Sequence, residues 1–119
     1  MRELKLTINK KVNICELITN TFKEMNLKDY YMKEFKNEES TVYFFVYELI
    51  FPSYKQVKFF SRAPGEIIVT TSVVAEVNQT STNVSFILST DDEAKIPNHL
   101  CIVLLEHGFK IVKLSFVII

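Results

Sequence analysis

Apolar and polar positions along the chain change period several times, and each change predicts an element. Residues 3–9 alternate, with Leu4, Leu6 and Ile8 on one side and Lys5 and Thr7 on the other, as in a short half-buried strand. From 14 to 25 the period lengthens to three and four: Ile14, Leu17, Ile18, Phe22 and Met25 form a stripe that Thr21 shares, predicting an amphipathic helix. Asn13 stands where an N-cap belongs, with Glu16 three residues later to complete a capping box. A second, shorter helix is predicted over 28–37, burying Leu27, Tyr31 and Phe35 and ending in the polar run 36–40.

Residues 41–51, 55–62, 66–77 and 82–89 all read as strands, rich in β-branched and aromatic residues. Between them lie Pro52-Ser53-Tyr54, Ala63-Pro64-Gly65 and the stretch 78–81, all turn material of hairpin length. Closing each as a tight hairpin sets Leu49 opposite Val57, Tyr47 opposite Phe59, Phe59 opposite Val69, Val73 opposite Phe86 and Ala75 opposite Val84. Apolar positions then meet at every step, and a one-residue slip would turn a strand's core set outward. The other face of the last two strands is largely polar. The other face of strand 41–51 is not: Val42, Phe44, Val46 and Ile50 surround Glu48, and Phe60 joins them. Such a face needs either a covering loop or helix, or a subunit interface.

Near the C-terminus, Asp91-Asp92-Glu93 and Pro97-Asn98 suit a helix opening, and residues 98–107 read as a helix stopped by Gly108. The following segment, 109–119, has strand propensity, with an alternation that slips by one between Ile111 and Val112. One long helix is the rival reading, since Leu100, Leu104, His107, Ile111, Leu114 and Ile118 share a stripe. A mid-helix glycine and five β-branched residues weigh against it. The pattern therefore predicts a single α+β domain over 1–119. Its antiparallel meander has four to six strands, with two short N-terminal helices and one C-terminal helix packed on one face.

Composition removes several function classes. Lys plus Arg and Asp plus Glu both number 14, so no basic excess points to nucleic acid. Only 2 glycines are present, too few for a glycine-rich phosphate loop. The N-terminal residues lack the apolar stretch of a signal peptide, and no apolar run reaches the roughly 18 residues of a membrane span. These features, with 2 cysteines at no metal-binding spacing, predict a cytoplasmic protein with free thiols and no metal or other cofactor.

Little in the chain carries catalytic chemistry. His99, Cys101, Glu106 and His107 lie close in sequence but lack the pair spacing of a zinc site. The plainer expectation is that His107 stabilises the last helical carbonyls. Glu48 interrupts an apolar strand, and the hairpin register sets Lys58 opposite it as a cross-strand ion pair. The alternative for Glu48 is an acid with a shifted pKa in a pocket. The stripe Tyr43, Phe45, Tyr47 and Phe51, with Phe59 beside it, reads either as core or as the wall of an apolar cavity.

The order of strand, two short helices, antiparallel meander and C-terminal helix resembles the START-like, or helix-grip, arrangement. In that family a curved sheet wraps a long C-terminal helix around a hydrophobic ligand cavity. This chain has four strands after the helices where six are usual, and no site residue is carried over. The resemblance implies a domain with a hydrophobic ligand cavity; the residues themselves then predict a non-enzymatic binding domain holding a small apolar ligand, with Tyr43, Phe45, Tyr47, Glu48 and Phe59 as the ligand-binding set. The alternative is a protein-interaction or homodimerisation module using the outer face of strand 41–51.

Overall fold

The computed structural model describes residues 1–57, 61–89 and 91–118. Strand β1 (Arg2–Ile8) is followed by helix α1 (Ile14–Glu24) and strands β2 (Tyr30–Lys36), β3 (Ser40–Val57), β4 (Ser61–Asn78) and β5 (Thr82–Leu88). A 3-10 turn, Asp91–Ala94, leads into helix α2 (Lys95–Glu106), and β6 (Ile111–Ile118) closes the order. The six strands form one antiparallel sheet in the order β2-β3-β4-β5-β1-β6.

Where one period dominates, the elements fall as the pattern predicts. Leu4, Leu6 and Ile8 face the core from β1, and Ile14, Leu17, Ile18, Thr21 and Phe22 are buried on α1. Asn13 precedes α1 but makes no side-chain cap; its Nδ2 donates to Glu16 Oε2 at 2.9 Å instead. Gly108, at φ +80°, ends α2, and the amide of Phe109 donates back to the Leu104 carbonyl. His107 Nδ1 donates to the Val103 carbonyl at 2.8 Å, as its place at the helix end suggests. The slip in β6 is a bulge: Lys113 faces Thr7 and Ile111 faces Ile8, leaving Val112 over.

Two expectations are overturned. The predicted helix at 28–37 is strand β2, so the fold has one N-terminal helix and not two. The spacing of Leu27, Tyr31 and Phe35 fits a helix. However, nothing in Tyr30-Tyr31-Met32-Lys33-Glu34-Phe35-Lys36 forbids an extended chain, and pairing along Thr41–Tyr47 of β3 decides between the two. A helix that short gains little by itself, whereas a strand here satisfies the edge of β3.

The second correction concerns the turns. Pro52-Ser53-Tyr54 and Ala63-Pro64-Gly65 do not close hairpins but lie inside β3 and β4, which pair continuously from Ser40↔Asn78 to Val57↔Ser61. Tyr47 therefore faces Thr71, Glu48 faces Thr70 and Leu49 faces Val69. Among the described residues, β3 has no β2 partner beyond Tyr47, and β5 pairs with β4 only over Ser72–Val77. Each strand thus keeps one open side there, where a proline without an N–H breaks no ladder. The expected pairs Val73↔Phe86 and Ala75↔Val84 are present.

Both helices pack on one face of the sheet. Phe22 of α1 sits at the centre, edge-on to Phe45 with ring centroids 5.7 Å apart and tilted against Tyr47 at 5.0 Å and Tyr30 at 4.9 Å. From α2, Ile96, Leu100, Val103 and Leu104 complete the core with Val84, Phe86 and Leu88 of β5.

Candidate functional site

Among the described residues of the predicted ligand-binding set, Tyr47 and Glu48 border one groove and Tyr43 lines another concavity. Tyr43, Phe45 and Tyr47 share the helix-facing side of β3, but Phe45 is fully buried against Phe22 and divides the other two. Tyr43 is half-buried and lines a concavity of about 490 Å³ with Lys11, Glu34, Lys36 and Asn78. Burial raises its phenol pKa, and the Glu34 charge adds to this. Glu48 is exposed on the opposite face of the sheet. The expected Glu48–Lys58 pairing is replaced by Glu48↔Thr70. Phe59, like Lys58 and Phe60, lies outside the described residues.

Tyr47 is 1% exposed, and its hydroxyl has no well-formed hydrogen bond among the described residues. Burial pushes its pKa well above the usual phenol range; the neighbouring Thr71 hydroxyl acts against this shift, and the Glu93 charge reinforces it. Thr71 spends its own proton on Glu93, donating to Oε1 at 2.8 Å. Glu93, wholly buried in the 3-10 turn before α2, also accepts the Ser89 amide, tying this turn to the end of β5. Beside Tyr47 an open groove of about 860 Å³ runs between residues 25–31 and 46–50.

A further organised feature lies on the side of the sheet opposite the helices. Register sets three rows across it: Tyr31–Val46–Ser72–Ile87, Lys33–Phe44–Val74–Ser85, and Phe35–Val42–Glu76–Asn83. Tyr31 is 57% exposed and Phe35 53%, while Val42, Phe44 and Val46 between strands are half-buried. The Lys33 ammonium lies 5.1 Å from the centre of the Phe35 ring, so its charge rests on an aromatic face within this block. Sequence reasoning identified the β3 part, Val42 to Ile50, but placed Tyr31 and Phe35 on a helix. Residues 30–36 carry no period of two that would have signalled a strand, so only the pairing with β3 places them.

Among the described residues, both sheet edges, β2 and β6, lack a further strand. Strand β2 carries Lys33, Glu34 and Lys36, whereas β6 carries Lys113 as its one charge. Cys15 and Cys101 are half-buried and unbridged, and burial raises both thiol pKa values, with Glu34 adding to that of Cys15. Among the described residues no helix is long and apolar enough to cross a membrane, and no cluster of three ligating side chains could hold a metal ion.

No protein-family model matches the chain, and no curated protein matches it. Among solved structures it is similar to a chain in the crystal structure of the toxic C-terminal tip of CdiA from Pseudomonas aeruginosa in complex with immune protein. The two are 13% identical over 98% of this chain and 86% of the other, with a TM-score of 0.30. At that TM-score the likeness carries no argument about fold or function.

Proposed function

We propose that this chain is a protein-interaction module whose contact surface is the outer face of β2, β3 and β4. One observation carries this reading: Tyr31, Phe35, Val42, Phe44, Val46 and Val74 adjoin one another on a sheet face that neither helix covers. A contiguous apolar patch on a sheet is a recurrent mark of a docking surface. Its composition also fits, with Phe44 at the centre, Tyr31 and Phe35 on the edge strand, and Glu48 and Glu76 at the two ends of the β3–β4 part. The partner is a protein with an apolar centre of its own. A nucleic acid would call for a basic field, and the balanced charge of this chain supplies none.

Capture from cells of the source tests the reading. Proteins retained by the wild type should fall at least about tenfold with Tyr31→Glu/Phe35→Glu, since a charge buried in an interface without a counter-ion costs several kcal/mol. They should persist with Lys110→Glu. An unchanged set of captured proteins would reject the outer face.

A second reading, a small apolar ligand, is favoured by the buried Tyr47 hydroxyl, which has no well-formed hydrogen bond among the described residues and lies beside the groove, whose walls include Met25, Leu27, Tyr30 and Leu49. Binding there would come from burial of apolar surface, with the hydroxyl fixing orientation. Gentle native mass spectrometry separates the two: a small mass shed on collisional activation supports the ligand, and bare protein rejects it.

A further inference from the structure

Strand β6 is the opposite edge of the sheet, paired among the described residues with β1 alone. Its register sets Leu114 opposite Leu6 and Phe116 opposite Leu4, on the helix side of the sheet. Leu4 and Leu6 are buried there, but Leu114 is 59% exposed, Phe116 51% and Ile118 76%. The helices stop short of them. On α2, His99 is hydrogen-bonded to Glu24 of α1, so Leu105, on another side of α2 and 60% exposed, is turned away from α1. The edge therefore presents unpaired backbone groups flanked by bulky apolar side chains, a combination that pairs with another strand unless guarded.

We propose that β6 pairs antiparallel with β6 of a second copy of this chain, about a two-fold axis perpendicular to the sheet. Such an axis keeps every side chain on its own face, so Leu114, Phe116 and Ile118 of both copies meet on the helix side. A register centred on Ser115 sets Leu114 against the second copy's Phe116, and Lys113 against the second copy's Val117. No like charges face one another across the junction, and a chain with formal net charge +0 adds no long-range repulsion. The β2 edge, with Lys33, Glu34 and Lys36, is a poorer match for β6. Pairing is thus isologous and closes at two copies instead of growing into a filament. The same axis places both outer faces on one side of the joined sheet, although the pairing itself does not depend on what those faces bind.

Analytical ultracentrifugation of the full chain over a range of concentrations tests the proposal, together with a Ser115→Cys variant in a Cys15→Ser/Cys101→Ser background. The expected results are a dimer mass for the wild type, half that mass for Phe116→Lys with unchanged circular dichroism, and a covalent dimer from Ser115→Cys under mild oxidation. The cross-link keeps the test open even where Phe116→Lys fails to fold. A wild-type monomer at every concentration overturns the proposal. So does a mass that keeps growing with concentration, or a dimer that Ser115→Cys does not cross-link. None of these three results bears on the outer face, whose own test uses Tyr31 and Phe35.

Discussion

Tyr47 shows how far one atom can depart from the logic of its surroundings. Its ring fits the core against Phe22, yet its hydroxyl is buried without a well-formed hydrogen bond among the described residues. A buried hydroxyl without a partner costs about 1–3 kcal/mol. Tyr47→Phe should therefore raise unfolding free energy by about 1 kcal/mol, read from a urea titration. The same residue sets an alkaline limit. Burial raises its pKa in the folded chain above the unfolded value of about 10. Its contribution is complete below that pH and is lost as pH rises above it, because the unfolded phenol can ionise and the folded one resists. The wild type should lose stability more steeply above about pH 10 than Tyr47→Phe; equal slopes would show that another group dominates there.

At the scale of elements, the boundaries of α2 were readable because they are chemical. Gly108 adopts a left-handed φ of +80°, and a Cβ placed there would meet nothing within 4 Å. Gly108→Ala should then cost about 1–2 kcal/mol through backbone strain alone, with no packing defect, and circular dichroism should keep the native helix signal. A larger loss would mean that the α2–β6 connection depends on more than this one conformation. The strands were readable where they alternate and have polar turns at their ends, as β1 and β5 do. The β3–β4 hairpin was not, because its prolines and Gly65 give strong turn signals within strands that stay paired. Proline is a turn signal only where its missing N–H would have been needed. On the open side of a two-stranded ladder it is not.

Across the whole molecule, the two ends of the sheet differ. Strand β1 is paired on both sides, with β5 and β6, and its core-facing residues are buried. Its amides should be among the slowest to exchange with deuterium, whereas the outward amides of β2 should exchange fast. The outward amides of β6 are the informative ones. Protection there that disappears on dilution would accompany pairing between copies, and fast exchange at every concentration would show the edge to be free.

Local chemistry in the sequence determined much of this protein: the amphipathic stripe of α1, the inward set of β1, the glycine stop of α2, the bulge at Val112 and the β4–β5 register. Each follows from side chains within a few positions of one another, or from a short turn that fixes a register. Tertiary structure alone decided the rest. Whether 30–36 became helix or strand depended on the open edge of β3, and whether 52–54 turned depended on which sides of the ladder had neighbours. Packing of Phe22 against both Phe45 and Tyr47 fixed where those rings sit, with Phe45 wholly inside the core and Tyr47 bordering a groove. Register then joined Tyr31 and Phe35, from a segment the pattern assigned to a helix, to Val42, Phe44 and Val46. Surfaces of this kind are long-range objects, fixed by which strands become neighbours and not by any one stretch of residues.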